Sequence, residues 1–281
     1  MSQTPKLGKG LGRKRDKPDG RDSMLPKAHG QGAQQAAPLL GVGAPLPSSV
    51  DVFAGLALPV YDQGTLGSCT ANAGVLYRRF LAQRFKGATN GAPTPPDQDL
   101  SRLFLYYQER LLDGDPQSDD GATVRDVFKV MASIGVCPEA LDPYVTEDFA
   151  SPGGNDAPNE IAAAGKYKIG AYHRLPDVDT ARSVLASGYA VELGFTVYAS
   201  FENIGGDGVM PMPQPGESVI GGHAVVIRGY DDTREMLFVQ NSWGLNWGSG
   251  GCFWMPYAFL QNTGLSQFDM WMGHLGTPWK S

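Results

Sequence analysis

Cys69 is the residue whose type and position first suggest chemistry. It follows Gly67 and Ser68, and from it apolar residues recur three or four positions apart as far as 85, which predicts a helix that begins near the cysteine. Backbone N–H groups at the start of a helix favour a thiolate over a thiol, and the thiolate is the reactive nucleophile. The residue alone leaves a second interpretation open, because most free cysteines are small buried hydrophobic residues.

Two later stretches contain residues that can assist a thiolate. His223 opens the alternating run 223–230, which predicts a strand, whereas the other three histidines lie in the N-terminal tail, in a polar linker and near the C-terminus. Asn241 directly follows the apolar run 236–240, and its side-chain oxygen can orient an imidazole ring. Taken singly, His223 also fits a structural strand position, and the sequence around Asn241 also fits a hairpin turn with core tryptophans.

Together, these three stretches resemble the papain-like cysteine peptidases, in particular their bacterial, xylellain-like branch. The matching sequences are Gln63-Gly-Thr-Leu-Gly-Ser-Cys69, Gly-Gly-His223-Ala and Gln-Asn241-Ser-Trp-Gly, in the family's order. The resemblance implies that Cys69 is the nucleophile and His223 its base. It also implies that Asn241 orients His223 and that Gln63 stabilises the oxyanion.

The resemblance further implies a substrate cleft, in which the backbone near Gly121 pairs with the substrate chain as an edge strand does. A helix-entry turn is the alternative role for Gly121. Four uncharged residues are expected to line the pocket for the second residue before the cut, so an apolar side chain is predicted there. Those four are Ala122, Thr123, Leu193 and Ala224, and Gly222 and Trp243 complete the expected substrate-binding set.

Composition indicates an ordinary globular protein. The chain has 281 residues, of which 42% are hydrophobic and 19% are charged, and no apolar run is long enough for a membrane-spanning helix. Its three cysteines exclude a disulfide framework. Apolar spacing predicts helices over 69–85, 100–112, 124–133 and 177–187, and strands over 190–197, 223–230, 236–240 and 252–257.

Helices that precede most of the strands favour an α+β fold with two lobes packed side by side. The family resemblance makes this more specific. It implies a papain-like fold with a helical N-terminal lobe and an antiparallel β-barrel-like C-terminal lobe, and the active site lies between the two.

Residues 1–46 are predicted to be an extension of a peptidase domain that occupies 47–281. The extension is rich in Gly, Pro and Lys, and it concentrates basic residues in a chain whose net charge is −6. We expect it to dock on the acidic remainder, to cover the cleft and to keep the enzyme latent, as in a zymogen. A flexible tail without a role in activity is the alternative. A phosphate-bearing ligand on Arg13–Arg15 is a further expectation, whereas the tail lacks the interleaved aromatic residues typical of nucleic-acid binding.

These observations predict a cysteine endopeptidase that hydrolyses peptide or protein substrates through an acyl-enzyme, without a metal or an organic cofactor. Two alternatives are a non-peptidase acyl transferase or amidase on the same Cys-His scaffold, and a catalytically inactive binding module with the papain fold. No secretory signal is apparent. A cytoplasmic location is therefore expected, or export by a route that the sequence does not reveal.

Overall fold

Helices and an antiparallel sheet pack against each other around one apolar core. The computed structural model describes residues 9–27, 45–86, 97–149, 156–262, 265 and 268–276. The helices are α1 (Cys69–Arg84), α2 (Arg102–Leu112), α3 (Val124–Ser133), α4 (Pro158–Ala164), α5 (Val178–Ala186) and α6 (Tyr257–Gln261). None of the helices in these ranges is long and apolar enough to cross a membrane.

The sheet contains seven strands: β1 (Ser49–Asp51), β2 (Ala171–Leu175), β3 (Val191–Tyr198), β4 (Val219–Asp231), β5 (Met236–Gln240), β6 (Cys252–Pro256) and β7 (Asp269–His274). Their order is β2-β7-β3-β4-β5-β6, and β1 pairs with β4. Every pairing is antiparallel. The α+β prediction is confirmed, but in the described residues the sheet stays open and does not close into a barrel.

Helix α1 is the central element, because nearly all of its residues are buried between α2, α3 and the sheet. Gly74 permits the close packing against α3, since a Cβ atom at this position would lie 2.4 Å from Val127 Cγ1. The buried helix therefore holds its first residue, Cys69, in a fixed position beside β4.

Two strands contain histidines that the sequence interpretation placed outside regular structure. His173, assigned to a polar linker, lies in β2, and His274 lies in β7, which pairs with it. Their rings stack with centroids 6.0 Å apart. The two strands are far apart in the sequence, so neither could be recognised from a local turn or hairpin signal.

Residues 9–27, which we call the strap, contact the rest of the chain at both ends. At one end, the Gly10 N–H donates to the Gly64 carbonyl. At the other end, Leu25 and Ser23 exchange backbone hydrogen bonds with Arg174 in β2. The expected covering segment extended over 5–45, and its parts at 5–8 and 28–44 lie outside the described residues.

Candidate active site

The thiol of Cys69 lies at the start of α1 and has no exposed surface. Burial raises the pKa of this thiol to about 11, although hydrogen bonds from the backbone N–H groups of Gly12 and Ala224 oppose the shift. Because this pKa is about 11, the sulfur of the covered form is a neutral thiol at physiological pH. The backbone N–H of Cys69, the first residue of α1, has no acceptor within the helix.

A hydrogen bond joins His223, within β4, to Asn241, which directly follows β5. His223 Nε2 lies 2.7 Å from Asn241 Oδ1, and the same oxygen accepts the Ser242 N–H at 2.8 Å. The Trp243 ring covers this bond, with its centroid 4.8 Å from that of the imidazole. Burial lowers the pKa of His223 to about 4, and the bond to Asn241 opposes that shift.

The same bond determines which imidazole nitrogen carries the proton in the neutral ring. Asn241 Oδ1 accepts from the backbone N–H of Ser242, so it is an oxygen, and His223 Nε2 must be the donor. Nδ1 then has a lone pair, and no hydrogen-bond partner for it occurs among the described residues. The backbone N–H of Ala224, the next residue, bonds to the Cys69 sulfur, so this part of β4 lies against the start of α1.

Gln63 is held in the turn before α1 by both ends of its amide group. Its Oε1 accepts from Ser242 Oγ at 2.7 Å, and its Nε2 donates to the Leu66 carbonyl at 3.0 Å. The second Nε2 hydrogen points at the Gly10 carbonyl of the strap, also at 3.0 Å. The donor thus faces a carbonyl oxygen that belongs to the chain's own N-terminal segment.

Comparison with known proteins relates this geometry to a family. Residues 46–268 match the model of the papain family cysteine proteases. The chain belongs to that family. It is 34% identical over 224 residues to an uncharacterized peptidase C1-like protein of Acanthamoeba polyphaga mimivirus. The matched region covers 77% of this chain and 70% of that protein. The protein is thus a papain-like cysteine peptidase, a hydrolase.

Solved structures agree with this assignment. Xylellain, a cysteine protease from Xylella fastidiosa, is 33% identical, with a TM-score of 0.80 over 98% of this chain and 99% of that one. The proform of the ragweed pollen cysteine protease Amb a 11 is 21% identical, with a TM-score of 0.62 over 84% and 68% of the two chains, and shares the fold.

In this papain-family protease the strap runs through the cleft beside Cys69. The Ala122 N–H donates to the Gly12 carbonyl at 2.8 Å, and the Ala122 carbonyl accepts from the Lys14 N–H at 2.7 Å. These two bonds pair Ala122 with Arg13 in a parallel bridge. The Arg13 N–H donates to the Gly222 carbonyl at 3.0 Å on the opposite side. The backbone edges predicted to bind substrate are therefore occupied by the chain itself.

Ion pairs of both signs attach the strap. Lys9 lies 2.6 Å from Asp62, as an acidic body and a basic extension would suggest. Farther along the strap, however, Asp22 lies 2.7 Å from Arg125 and 3.4 Å from Arg174. The docking surface is thus a mixed pattern of charges rather than a uniformly acidic face.

The expected phosphate site on Arg13–Arg15 is wrong in this structure. The Arg13 side chain is buried and binds Asp269 through Nε at 2.9 Å and Nη2 at 2.5 Å. Lys14 pairs with Asp113 at 2.7 Å, which leaves Arg15 as the exposed arginine of the three residues. A single exposed arginine does not make a phosphate site. The described residues also contain no group of three or more His, Cys, Asp or Glu that could hold a metal ion.

The pocket that Arg13 enters differs from the predicted uncharged pocket. Directly paired residues point to the same face of an antiparallel sheet, and Gly194 pairs with both Ala224 and Asp269. Leu193, one residue earlier, therefore points to the other face and does not line this space. The carboxylate of Asp269 closes the pocket, and no local sequence pattern marks this residue, because it reaches the pocket through the pairing of β7 with β3.

Other predicted substrate residues have structural partners. Gly121 has a φ of 75° and a Cβ atom there would lie 1.7 Å from the Gly12 carbonyl oxygen, so both the turn and the close approach require glycine. Thr123 is the N-cap of α3 and accepts the Asp126 N–H. Trp243 is buried against His223 rather than open to the cleft.

Sequence analysis overlooked a buried acid behind the nucleophile. Glu109 in α2 accepts a hydrogen bond from Thr70 Oγ1 at 2.5 Å, and both residues are buried. Burial raises the pKa of Glu109 well above its usual range. A negative charge on Glu109 would oppose formation of a thiolate at Cys69, and the raised pKa of Glu109 reduces this effect.

Proposed function

We propose that the protein is a cysteine endopeptidase whose reacting groups are Cys69 and His223, with Asn241 as the orienting residue and Gln63 as an oxyanion donor. The observation that carries this proposal is the bond of His223 Nε2 to Asn241, which leaves Nδ1 without a partner among the described residues, one residue before Ala224, whose backbone N–H bonds to the Cys69 sulfur. Gln63 Nε2 supports it, because this donor already binds a backbone carbonyl oxygen.

The reaction follows from these positions. The Cys69 proton passes to His223 Nδ1, and the sulfur attacks the carbonyl carbon of the substrate peptide bond. The oxygen becomes negative and accepts hydrogen bonds from Gln63 Nε2 and the Cys69 backbone N–H, each of which contributes about 3 kcal/mol. The imidazolium then protonates the leaving amine as the C–N bond breaks. Water, deprotonated by His223, hydrolyses the thioester and restores the thiol.

The same proposal includes latency, with residues 1–46 as a removable extension of a peptidase domain over 47–281. The Cys69 sulfur faces the backbone N–H of Gly12 and not a carbonyl carbon of the strap, so the sulfur has no electrophile to attack. Burial raises the pKa of Cys69 to about 11 and lowers that of His223 to about 4, so the covered pair is neutral. When the strap leaves, water and substrate reach both groups, and the thiolate–imidazolium pair becomes accessible.

Substitutions in the full chain carrying Arg13→Ala, which removes the strap's buried ion pair, test the catalytic assignment. Cys69→Ala and His223→Ala are expected to abolish hydrolysis of fluorogenic peptides, because each removes a reacting group. Asn241→Ala is expected to retain reduced activity, because Asn241 orients the base and transfers no proton. Cys252→Ala is the matched control, because it removes another buried free thiol, which accepts a hydrogen bond from Arg228 and has no assigned role in the reaction. Hydrolysis by the Cys69→Ala chain at the control's rate would contradict the proposal.

A further inference from the structure

We propose that Asp269 selects a basic side chain, preferably a guanidinium, at the second residue before the cut, and that the same carboxylate anchors the strap. This inference rests on the proposed function and adds the class of substrate. It replaces the apolar preference that the sequence suggested.

The side chain of Arg13 defines what the pocket binds. Both Arg13 Nε and Nη2 donate to Asp269 Oδ2, while Asp269 Oδ1 accepts from Trp271 Nε1 at 2.8 Å. Asp269 is fully buried, with an exposed fraction of 0%. One carboxylate oxygen is thus bound to the protein framework, and the other is directed at a cation in the pocket.

The walls of the pocket leave room for a guanidinium. A Cβ atom at Gly194 would lie 2.5 Å from Arg13 Nε and equally close to Asp269 Oδ2, so any side chain at this position would separate the two groups. At Gly222, a Cβ atom would lie 3.4 Å from Arg13 Cδ. Glycine at both positions opens a passage from the cleft to the carboxylate, whereas an apolar residue at 194 would close it.

The backbone of Arg13 occupies the position at which a substrate residue binds. Ala122 on one side and Gly222 on the other both bond to the strap around Arg13, and Gly12 lies against the Cys69 sulfur. A substrate chain that pairs with Ala122 as an added strand places the side chain of the pairing residue in the same pocket. Arg13 follows Gly12 and pairs with Ala122 in parallel, so a substrate that pairs antiparallel runs in the opposite direction. The residue that it places in this pocket precedes the reacting one and is the second before the cut.

Electrostatics then favours a cation over an apolar side chain. Once the strap leaves, Asp269 retains one donor, Trp271 Nε1, and a leucine in the pocket would leave Oδ2 buried and unpaired. The nearby Glu192 is also buried, and burial raises the pKa of this carboxyl well above its usual range. As an acid, Glu192 supplies no positive charge that could neutralise Asp269. A substrate arginine restores the bonds that Arg13 makes.

The test uses the full chain with Arg13→Ala, which vacates the pocket and keeps Asp269. Four peptide amides differ only at the second residue before the cut, where they carry arginine, lysine, citrulline or leucine. Citrulline has the shape of arginine without its charge. We expect kcat/KM for arginine to exceed those for citrulline and leucine by about 10- to 100-fold, the range for a hydrogen bond to a charged group.

Additional variants in the Arg13→Ala chain assign this preference to one carboxylate. Asp269→Asn should reduce the arginine-to-citrulline ratio to near one, and Asp269→Glu should retain most of it. Asp113→Asn is the matched control, because Asp113 also pairs with the strap but lies outside the pocket, and it should leave the ratio unchanged. If Asp269→Asn fails to fold, the arginine-to-citrulline ratio of the Arg13→Ala chain still decides the question.

The outcomes separate this inference from the proposed function. A preference for leucine, as would arise if Arg125 neutralised Asp269 after strap release, overturns the inference, and so does an arginine preference that Asp269→Asn leaves intact. Absence of hydrolysis of every peptide, together with no Cys69 adduct by an epoxide inhibitor in intact mass, overturns the proposed function itself.

Discussion

A methyl group on Gly12 is expected to release the strap. A Cβ atom at this position would lie 1.7 Å from the Gly67 carbonyl oxygen and 2.4 Å from the Gly67 carbonyl carbon. Both are backbone atoms of the turn that leads into α1, so they cannot move aside as a flexible side chain would. Because an ordinary contact is about 3.5–4 Å, Gly12→Ala must shift the strap by well over 1 Å.

Such a shift breaks the hydrogen bonds that hold the strap over the nucleophile. These are the bonds from Ala122 N–H to Gly12, from Arg13 N–H to Gly222, and from Gly12 N–H to the Cys69 sulfur. At about 1 kcal/mol each, their loss weakens docking by about 3 kcal/mol. The uncovered fraction should then rise by about 100-fold, until it approaches unity.

The assay is the second-order rate of alkylation of Cys69 by an epoxide inhibitor, with peptide hydrolysis measured in parallel. Both rates should rise by about the same factor in Gly12→Ala, since both require an uncovered thiol. Gly20→Ala is the control, because a Cβ atom at Gly20 meets nothing within 4 Å and should leave both rates unchanged. Rates for a folded Gly12→Ala chain equal to those of the control would refute the role of the strap.

Three further predictions concern protonation and thiols. Burial raises the pKa of Cys69 to about 11, so its alkylation in the wild-type chain should be slow below about pH 9. Gly12→Ala should move the pH profile of this alkylation to lower pH, and an unchanged profile counts against coverage by the strap. Burial, followed by the charge of Asp269, raises the pKa of Asp16 in the strap to about 7. An acid whose folded pKa is raised stabilises docking below its usual pKa, and this stability is lost as pH rises through 7. The ratio of wild-type to Asp16→Asn hydrolysis should therefore increase from pH 6 to pH 8, and a constant ratio would exclude Asp16 as the cause. Thiol counting in denaturant without reductant should give three, because all three cysteines are free and buried, and a count of one would indicate a disulfide.

Local sequence signals predicted the elements that hold Cys69, His223 and Asn241. The helix at Cys69 has its own apolar spacing. The strand that contains His223 and the strand before Asn241 are short runs with turn residues between them. Each of these signals lies within about 15 residues, which is the scale at which periodicity and turn chemistry act. The papain-like family assignment is confirmed for the same reason.

The pocket depended on pairings over long distances and was predicted less well. Leu193 and Gly194 are neighbours, and an error of one position moves a side chain to the opposite face of the sheet. Asp269 reaches the pocket because β7 pairs with β3, although about 75 residues separate the two positions. The direction of the strap was equally inaccessible, because its contacts join residue 13 to residues 122, 222 and 269.

The strap is part of the same chain as the cleft that it covers, and this connection has a kinetic consequence. While residues 28–44 join the strap to the rest of the chain, docking is intramolecular. The covered fraction then depends on the effective concentration of the strap near the cleft and not on the total protein concentration. One cut within 28–44 turns the same contacts into a complex of two chains, which dissociates on dilution. The proposed latency should therefore be independent of dilution before that cut and be lost on dilution after it.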